Sequence, residues 1–339
     1  MKKLTLIFLF FLNATLAFAQ EIYEYEKEIT DKNNYTFSEL EFKKNDEDIS
    51  FFGTLIEPKT NYDKIVVIVN GTGPHTRYAH NYLTDSLLKN NIAVFRFDKR
   101  GIGKSQGKYN NQPTTYINDL FFILSEFEKK FKNKKIGLIG HSLGGIATIG
   151  AIQKGANVDF LVQWATPVGN FGDFIKFQLK TRNSDKELEE QFKTKNIDQI
   201  WKLLFLVQST VQENKDKDYI NIYKSVEKRA KEKGYKEKQF RRFLANPDNM
   251  DLMKYNFDTA YKNLKIPTLY IIGSKDSFVD AEKSKETIEF YKNSNITFIM
   301  FDGLNHYLTD SGKITKMTNG LYKIDEKAEN KIINWIEKK

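Results

Sequence analysis

The stretch "IGLIGHSLGGIAT", Ile136–Thr148, starts as an apolar run, breaks at Gly140, shows one serine at Ser142 and then meets Gly144 and Gly145. The run before Gly140 reads as a strand buried on both faces, and the small apolar residues after Gly144 read as the start of a helix. A serine in a sharp strand-to-helix turn has its Oγ pushed beyond the sheet. Glycines on both flanks let the backbone turn that tightly. The helix N-terminus beneath offers free N–H groups to a developing negative charge. The spacing G-x-S-x-G is weak evidence alone, and an incidental serine in a Gly-rich turn is the competing reading. The flanking strand and helix give the motif its specificity.

Outward from this turn the chain keeps alternating. "KIVVIVNG", "NIAVFRFDKRG", "KKIGLIGHS", "FLVQWATPVG", "PTLYIIGSKD" and "ITFIMFDGLNH" are apolar runs ending at glycine or polar residues. "YTFSELEF" and "ISFFGTLIEP" read as earlier strands. Between two of the runs, Ile117, Leu120, Phe121, Leu124 and Phe127 recur at helical spacing. Buried strands joined by helices predict an α/β fold with a mostly parallel sheet and flanking helices. From Asn170 to Lys262 the alternation stops, and the sequence is charged and helical, with "IDQIWKLLFLVQSTV" its most apolar piece. This predicts a helical cap inserted into the core. The expected organisation is a signal peptide over 1–19, core over 20–169, cap over 170–262 and core again over 263–339.

A nucleophilic serine needs a base, and the chain has four histidines. His141 lies inside the turn, and its side chain is expected to point beside the serine. His75 and His80 follow the first core strand. His306, in "FDGLNHYL", follows the last predicted strand at the carboxyl edge of the sheet, where open α/β folds bind ligands. It is the expected base. Asp276 in "IIGSKDSFVD" sits just past another buried strand and is the expected orienting carboxylate, with Asp280 in reserve. Asp302 and Asp310 are nearer His306 in sequence, but neither sits at a strand end. For the oxyanion, "IVNGTGPHTRY" supplies a Gly-rich turn. The Thr72 and Leu143 N–H groups are the expected donors, with Gly73 as the alternative to Thr72.

Composition narrows the class further. "MKKLTLIFLFFLNATLAFAQ" has two lysines, an apolar core over Leu4–Leu12 and Ala17-Phe18-Ala19, the pattern of a secretory signal cut before Gln20. Its apolar run falls short of the roughly 20 residues that a spanning helix needs. The expected compartment is periplasmic or extracellular, with no stable membrane anchor after cleavage. The chain has no cysteine, which excludes disulfides, metal–thiolate sites and a lipid-modified N-terminal cysteine. Formal net charge is +9, mostly an excess of lysine interleaved with acids, as in "KSVEKRAKEKGYKEKQFRRF". That mixture reads as a solvated helix face rather than a nucleic-acid surface. "Gly103-Lys104-Ser105" mimics the end of a phosphate-binding loop, but Asp98 stands where that loop wants glycine.

With these residues in place the chain resembles the α/β-hydrolase superfamily, over nearly all of the mature sequence outside the inserted helices. "DKRGIGKSQG" looks like its D-x-R-G-x-G-x-S turn, "GHSLGG" is a common form of its nucleophile elbow, and Ser142, Asp276 and His306 follow its chain order. "NGTGPHTR" is similar to the G-S-G-P-x-D-R stretch of a bacterial esterase branch near the serine aminopeptidases. Here threonine replaces the serine, and His75 and Thr76 replace the residue and aspartate before the arginine. The resemblance implies hydrolysis of carboxylic esters of small or medium acyl chains through an acyl-enzyme on Ser142, with no metal or organic cofactor. A peptidase, amidase, thioesterase or deacylase on the same triad is the alternative. The expected partner is a small-molecule acyl ester, and the oligomeric state is open. Phe171, Phe174 and Phe177 are candidates for an acyl pocket. Glu189 and Glu190 would be the acidic groups for a substrate ammonium.

Overall fold

The computed structural model describes residues 29–169, 171–310 and 323–339, with Phe171 and Gly172 described by backbone alone. The expected signal peptide and its cleavage point lie outside the described residues. The strands are β1 (Tyr35–Lys44), β2 (Ile49–Pro58), β3 (Lys64–Val69), β4 (Ala93–Phe97), β5 (Lys135–His141), β6 (Phe160–Trp164), β7 (Thr268–Gly273) and β8 (Ile296–Phe301). They form one eight-stranded sheet in the order β1-β2-β4-β3-β5-β6-β7-β8. β1 and β2 are antiparallel, β2 meets β4 antiparallel, and β4 through β8 run parallel. Every residue of β3, β4, β6 and β7 is buried. That two-sided burial is why these runs carry no polar alternation.

The helices α1 (Asn81–Lys89), α2 (Pro113–Lys130), α3 (Leu143–Gln153), α11 (Ala281–Tyr291) and α12 (Glu326–Glu337) flank the sheet. On α2 the expected stripe buries Ile117, Leu120, Leu124 and Phe127, while Phe121 stays half-buried. The chain moves from β3 outward to β4 and then back across to β5. The carboxyl ends of β3 and β5 therefore lie side by side at the point where the winding reverses, the usual ligand position of such sheets. Register fixes this: Val69 pairs with Gly140, so the turn after β3 meets the turn after β5. Likewise Gly273 pairs with Phe301, which brings the loops after β7 and β8 together.

Between β6 and β7 run α4 (Phe171–Arg182), α5 (Asp185–Phe192), α6 (Ile197–Glu213), α7 (Tyr219–Glu232), α8 (Glu237–Leu244), α9 (Pro247–Met253) and α10 (Asp258–Asn263). Ile175, Phe192, Ile200, Val207, Phe240 and Met250 belong to an apolar cluster separate from the sheet core. Tyr261 of α10 belongs to the sheet core. The helical segment is tied back at α2. Asp251 accepts hydrogen bonds from Thr114 N–H at 2.7 Å and Thr114 Oγ1 at 2.7 Å, and Tyr255 Oη lies 2.8 Å from Thr114 Oγ1.

Candidate active site

Ser142 sits between β5 and α3 with φ 54° and ψ −119°, a backbone geometry rare for a residue with a side chain. Its N–H donates to the Trp164 carbonyl at 2.8 Å, and its carbonyl accepts from Gly145 N–H at 2.9 Å. The surrounding glycines are required by contact. A Cβ on Gly144 would lie 2.1 Å from the Val69 carbonyl oxygen, and one on Gly145 would lie 1.7 Å from Thr166 Oγ1. A Cβ on Gly140 would lie 2.6 Å from the Gly145 Cα, inside the turn itself.

Asp276 and His306 form a buried pair, with His306 Nδ1 2.7 Å from Asp276 Oδ2. The carboxylate is an acceptor, so Nδ1 carries the proton and Nε2 is left as the basic nitrogen. Asp276 Oδ1 is held by the N–H groups of Phe278 at 2.7 Å and Val279 at 2.9 Å, which fixes the carboxylate plane. The His306 carbonyl accepts from Trp164 Nε1 at 3.2 Å and His141 Nε2 at 3.3 Å. His141 thus lies under the base, with ring centres 4.9 Å apart, rather than facing the serine. The His80 ring packs 5.3 Å from it. Burial holds both His80 and His141 neutral, with pKa values well below the ordinary imidazole range. Among the described residues the Ser142 hydroxyl takes no hydrogen bond, and bonds of this kind commonly close only on substrate binding.

The other carboxylates considered from sequence have different work. Asp280 caps α11 by accepting from Lys283 N–H at 3.0 Å. Asp302 is exposed and accepts from Ser274 Oγ at 3.0 Å. Asp310 is exposed and bridges to Leu304.

The turn after β3 lies directly against the serine: a Cβ on Gly71 would be 3.3 Å from Ser142 Cβ. Its polar groups are pinned one by one. Lys99 Nζ donates to the Gly71 carbonyl at 3.1 Å and the Gly73 carbonyl at 3.2 Å. The Thr72 carbonyl accepts from His75 Nε2 at 2.9 Å. Gly73 N–H donates to Asn111 Oδ1 at 3.2 Å, so the alternative oxyanion donor is already engaged. The Thr72 and Leu143 N–H groups take no partner among the described residues. The departure at His75 and Thr76 leaves the turn firmly braced: Arg77 donates to buried Asp98 through Nη2 at 2.7 Å and through its backbone N–H at 2.7 Å.

Ser142, Leu143 and Thr72 line a cavity of about 270 Å³ with Asn111, Phe174 and Asp248. Phe174 and Pro167 also line a neighbouring groove, where Phe177 lies with Lys176, Lys180 and Lys283. Phe171 has no described side chain. Glu189 is half-buried and Glu190 exposed on α5, and neither lines the cavity. The acid that does is Asp248, whose pKa is raised by burial and by neighbouring Asp251. Lys99, Asn111 and Asp248 escape a reading of the sequence, because each acts through a loop or helix remote in the chain. Among the described residues no cluster of three or more His, Asp or Glu side chains is placed to hold a metal ion.

The family model described as serine aminopeptidase, S33, matches residues 60–310, a span that contains Ser142, Asp276 and His306. The chain belongs to this family. It is a hydrolase of the α/β-hydrolase type, and the S33 family match covers β3 to β8 and the helices between β6 and β7. Among solved structures the S33 chain is similar to an esterase from Pyrococcus furiosus, at 19% identity and TM-score 0.57, covering 92% of this chain and 96% of that one. An esterase from Exiguobacterium antarcticum aligns at 15% identity and TM-score 0.53, over 88% of this chain and 100% of that one. A bromoperoxidase from Bacillus anthracis aligns at 17% identity and TM-score 0.52, over 88% and 100%. These likenesses show the shared fold. Among curated proteins, protein phosphatase methylesterase 1 of Candida albicans is 31% identical over 94 residues, which is 28% of this chain. The chain spans about a quarter (26%) of the length of that relative.

Proposed function

We propose that the protein is a serine hydrolase that cleaves carboxylic esters of small or medium acyl chains through an acyl-enzyme on Ser142. The observation that carries this reading is the buried 2.7 Å pair of His306 Nδ1 and Asp276 Oδ2, with His306 packed 4.9 Å from the ring of His141, the chain neighbour of the strained Ser142. His306 Nε2 takes the Ser142 proton as Oγ attacks the ester carbonyl. The Thr72 and Leu143 N–H groups hold the oxyanion, and Asp276 stabilises the imidazolium. The alcohol leaves with the proton from His306, and water then releases the acid by the same route. No metal or organic cofactor has a part in this scheme. The helices between β6 and β7 act as a cap that sets acyl specificity, since Phe174, Asp248 and Leu252 close the cavity over Ser142. A cavity of about 270 Å³ fits a short acyl chain better than a long one.

Asp248 favours a second reading, a peptidase that binds a substrate ammonium against this carboxylate. Rates on short p-nitrophenyl esters and on aminoacyl p-nitroanilides separate the two. Faster anilide cleavage that Asp248→Asn abolishes would replace the esterase reading. The first test is intact-mass labelling with a fluorophosphonate beside Ser142→Ala. One adduct on the wild type and none on the variant is expected. Equal labelling, or none on either, would reduce Ser142 to a turn residue.

A further inference from the structure

We infer that Lys99 is a positioning residue for the reaction, orienting and polarising the Thr72 N–H through the Gly71–Thr72 peptide bond. The inference rests on the serine hydrolase reading above. Lys99 is buried, and it forms no ion pair among the described residues. Its hydrogen-bond acceptors there are the Gly71 and Gly73 carbonyls, the two that flank Thr72. A trans peptide is planar, with its C=O and N–H pointing in opposite directions. An ammonium on the Gly71 carbonyl therefore directs Thr72 N–H away from Lys99. On the turn's serine side a Cβ on Gly71 would lie 3.3 Å from Ser142 Cβ. The same contact draws electron density toward the carbonyl oxygen and makes the N–H a stronger donor, as in any hydrogen-bonded chain. His75 on the Thr72 carbonyl and Asn111 on Gly73 N–H stop the turn from rotating to any other donor.

A buried ammonium that met no carboxylate would be costly in a region with no use for it. The groups around Lys99 are the Tyr116 ring of α2 at 4.5 Å and the Tyr109 ring at 5.8 Å, and the carboxylate that acts on it electrostatically is Asp248 of α9. Burial brings its pKa down from 10.5 to about 7, and Asp248 alone opposes that fall. The ammonium is thus lost as pH rises above neutrality, while the two carbonyls keep a neutral amine in place.

The test measures kcat and KM on a short p-nitrophenyl ester, and the affinity of an aryl trifluoromethyl ketone, which adds the serine to give a tetrahedral oxyanion. For Lys99→Met we expect kcat about 10- to 100-fold lower, below the loss on deleting an oxyanion donor outright. Ketone affinity falls by the same factor, and KM stays within about twofold. Wild-type values of kcat and ketone affinity in a folded Lys99→Met would overturn the inference. Should that variant fail to fold, the wild type and Lys99→Arg decide. A fall in kcat and in ketone affinity above pH 7 that disappears in Lys99→Arg supports it, and a fall present in both or in neither overturns it. A wild type that neither turns over esters nor binds the ketone would instead sink the hydrolase reading on which it stands.

Discussion

Asp276 divides its two oxygens between structure and chemistry. Oδ1 receives the backbone of Phe278 and Val279, and Oδ2 receives His306. Asp276→Asn keeps the first pair of bonds and turns an amide donor toward His306, which favours the wrong tautomer. We expect ester hydrolysis to fall by about 10⁴-fold in kcat with little change in the thermal midpoint; steady-state rates and a melting curve check both parts. At this scale the turn at Ser142 and the hydrogen-bonded pair of Asp276 and His306 were legible, because each residue follows an apolar strand in a short polar loop. Lys99 was not. Between Asp98 and Arg100 it looks like one more surface charge, and only the fold shows that Asp98 and Arg100 find partners elsewhere while Lys99 turns inward. Asp248 was missed for a related reason. Its helix is short and polar, and nothing local says that it faces the serine.

The central strands β3, β4, β6 and β7 were readable as elements because two-sided burial leaves unbroken apolar runs that end where the backbone must turn. The helices between β6 and β7 were readable as a group from charge and spacing. Their docking was not, since it depends on a few contacts between distant segments. Foremost is Asp251, which receives Thr114 N–H and Thr114 Oγ1 at the first turn of α2. The carboxylate satisfies an N–H that has no partner within the helix and sits at the positive end of its dipole. Asp251→Ala removes a cap supplied from another element, at a cost of about 1 kcal/mol. We expect a lower thermal midpoint, faster proteolysis within residues 185–250 and a raised KM. Ser142 stays reactive to fluorophosphonate, because β5 and α3 are untouched. Unchanged proteolysis would show that α9 is held by its apolar contacts alone.

Across the whole molecule, stability carries a pH dependence set by the buried rings. His80 and His141 have native pKa values well below 6.5. Their unfolded forms bind more protons below pH 6.5, so stability is full above that point and is lost as pH falls. Each ring therefore contributes a loss of stability as pH falls below 6.5. Asp85, Asp119, Asp248 and Glu329, with pKa values raised by burial, act in the opposite sense over the lower part of that range. His80→Asn isolates the effect, since asparagine accepts the left-handed backbone at φ 58°. Urea unfolding at about pH 7.5 and about pH 5.0 should show a smaller acid-induced loss in this variant than in the wild type. An equal loss would mean that other groups govern acid unfolding.

The four histidines of the chain, His75, His80, His141 and His306, all converge beneath or beside Ser142. Every imidazole proton resonance of the protein therefore arises from one neighbourhood, with no surface histidine to obscure it. The molecule carries its own set of reporters. A ligand entering the cavity, a proton moving onto His306 or a shift of the turn at Thr72 registers in four ring signals, without a label or a substitution.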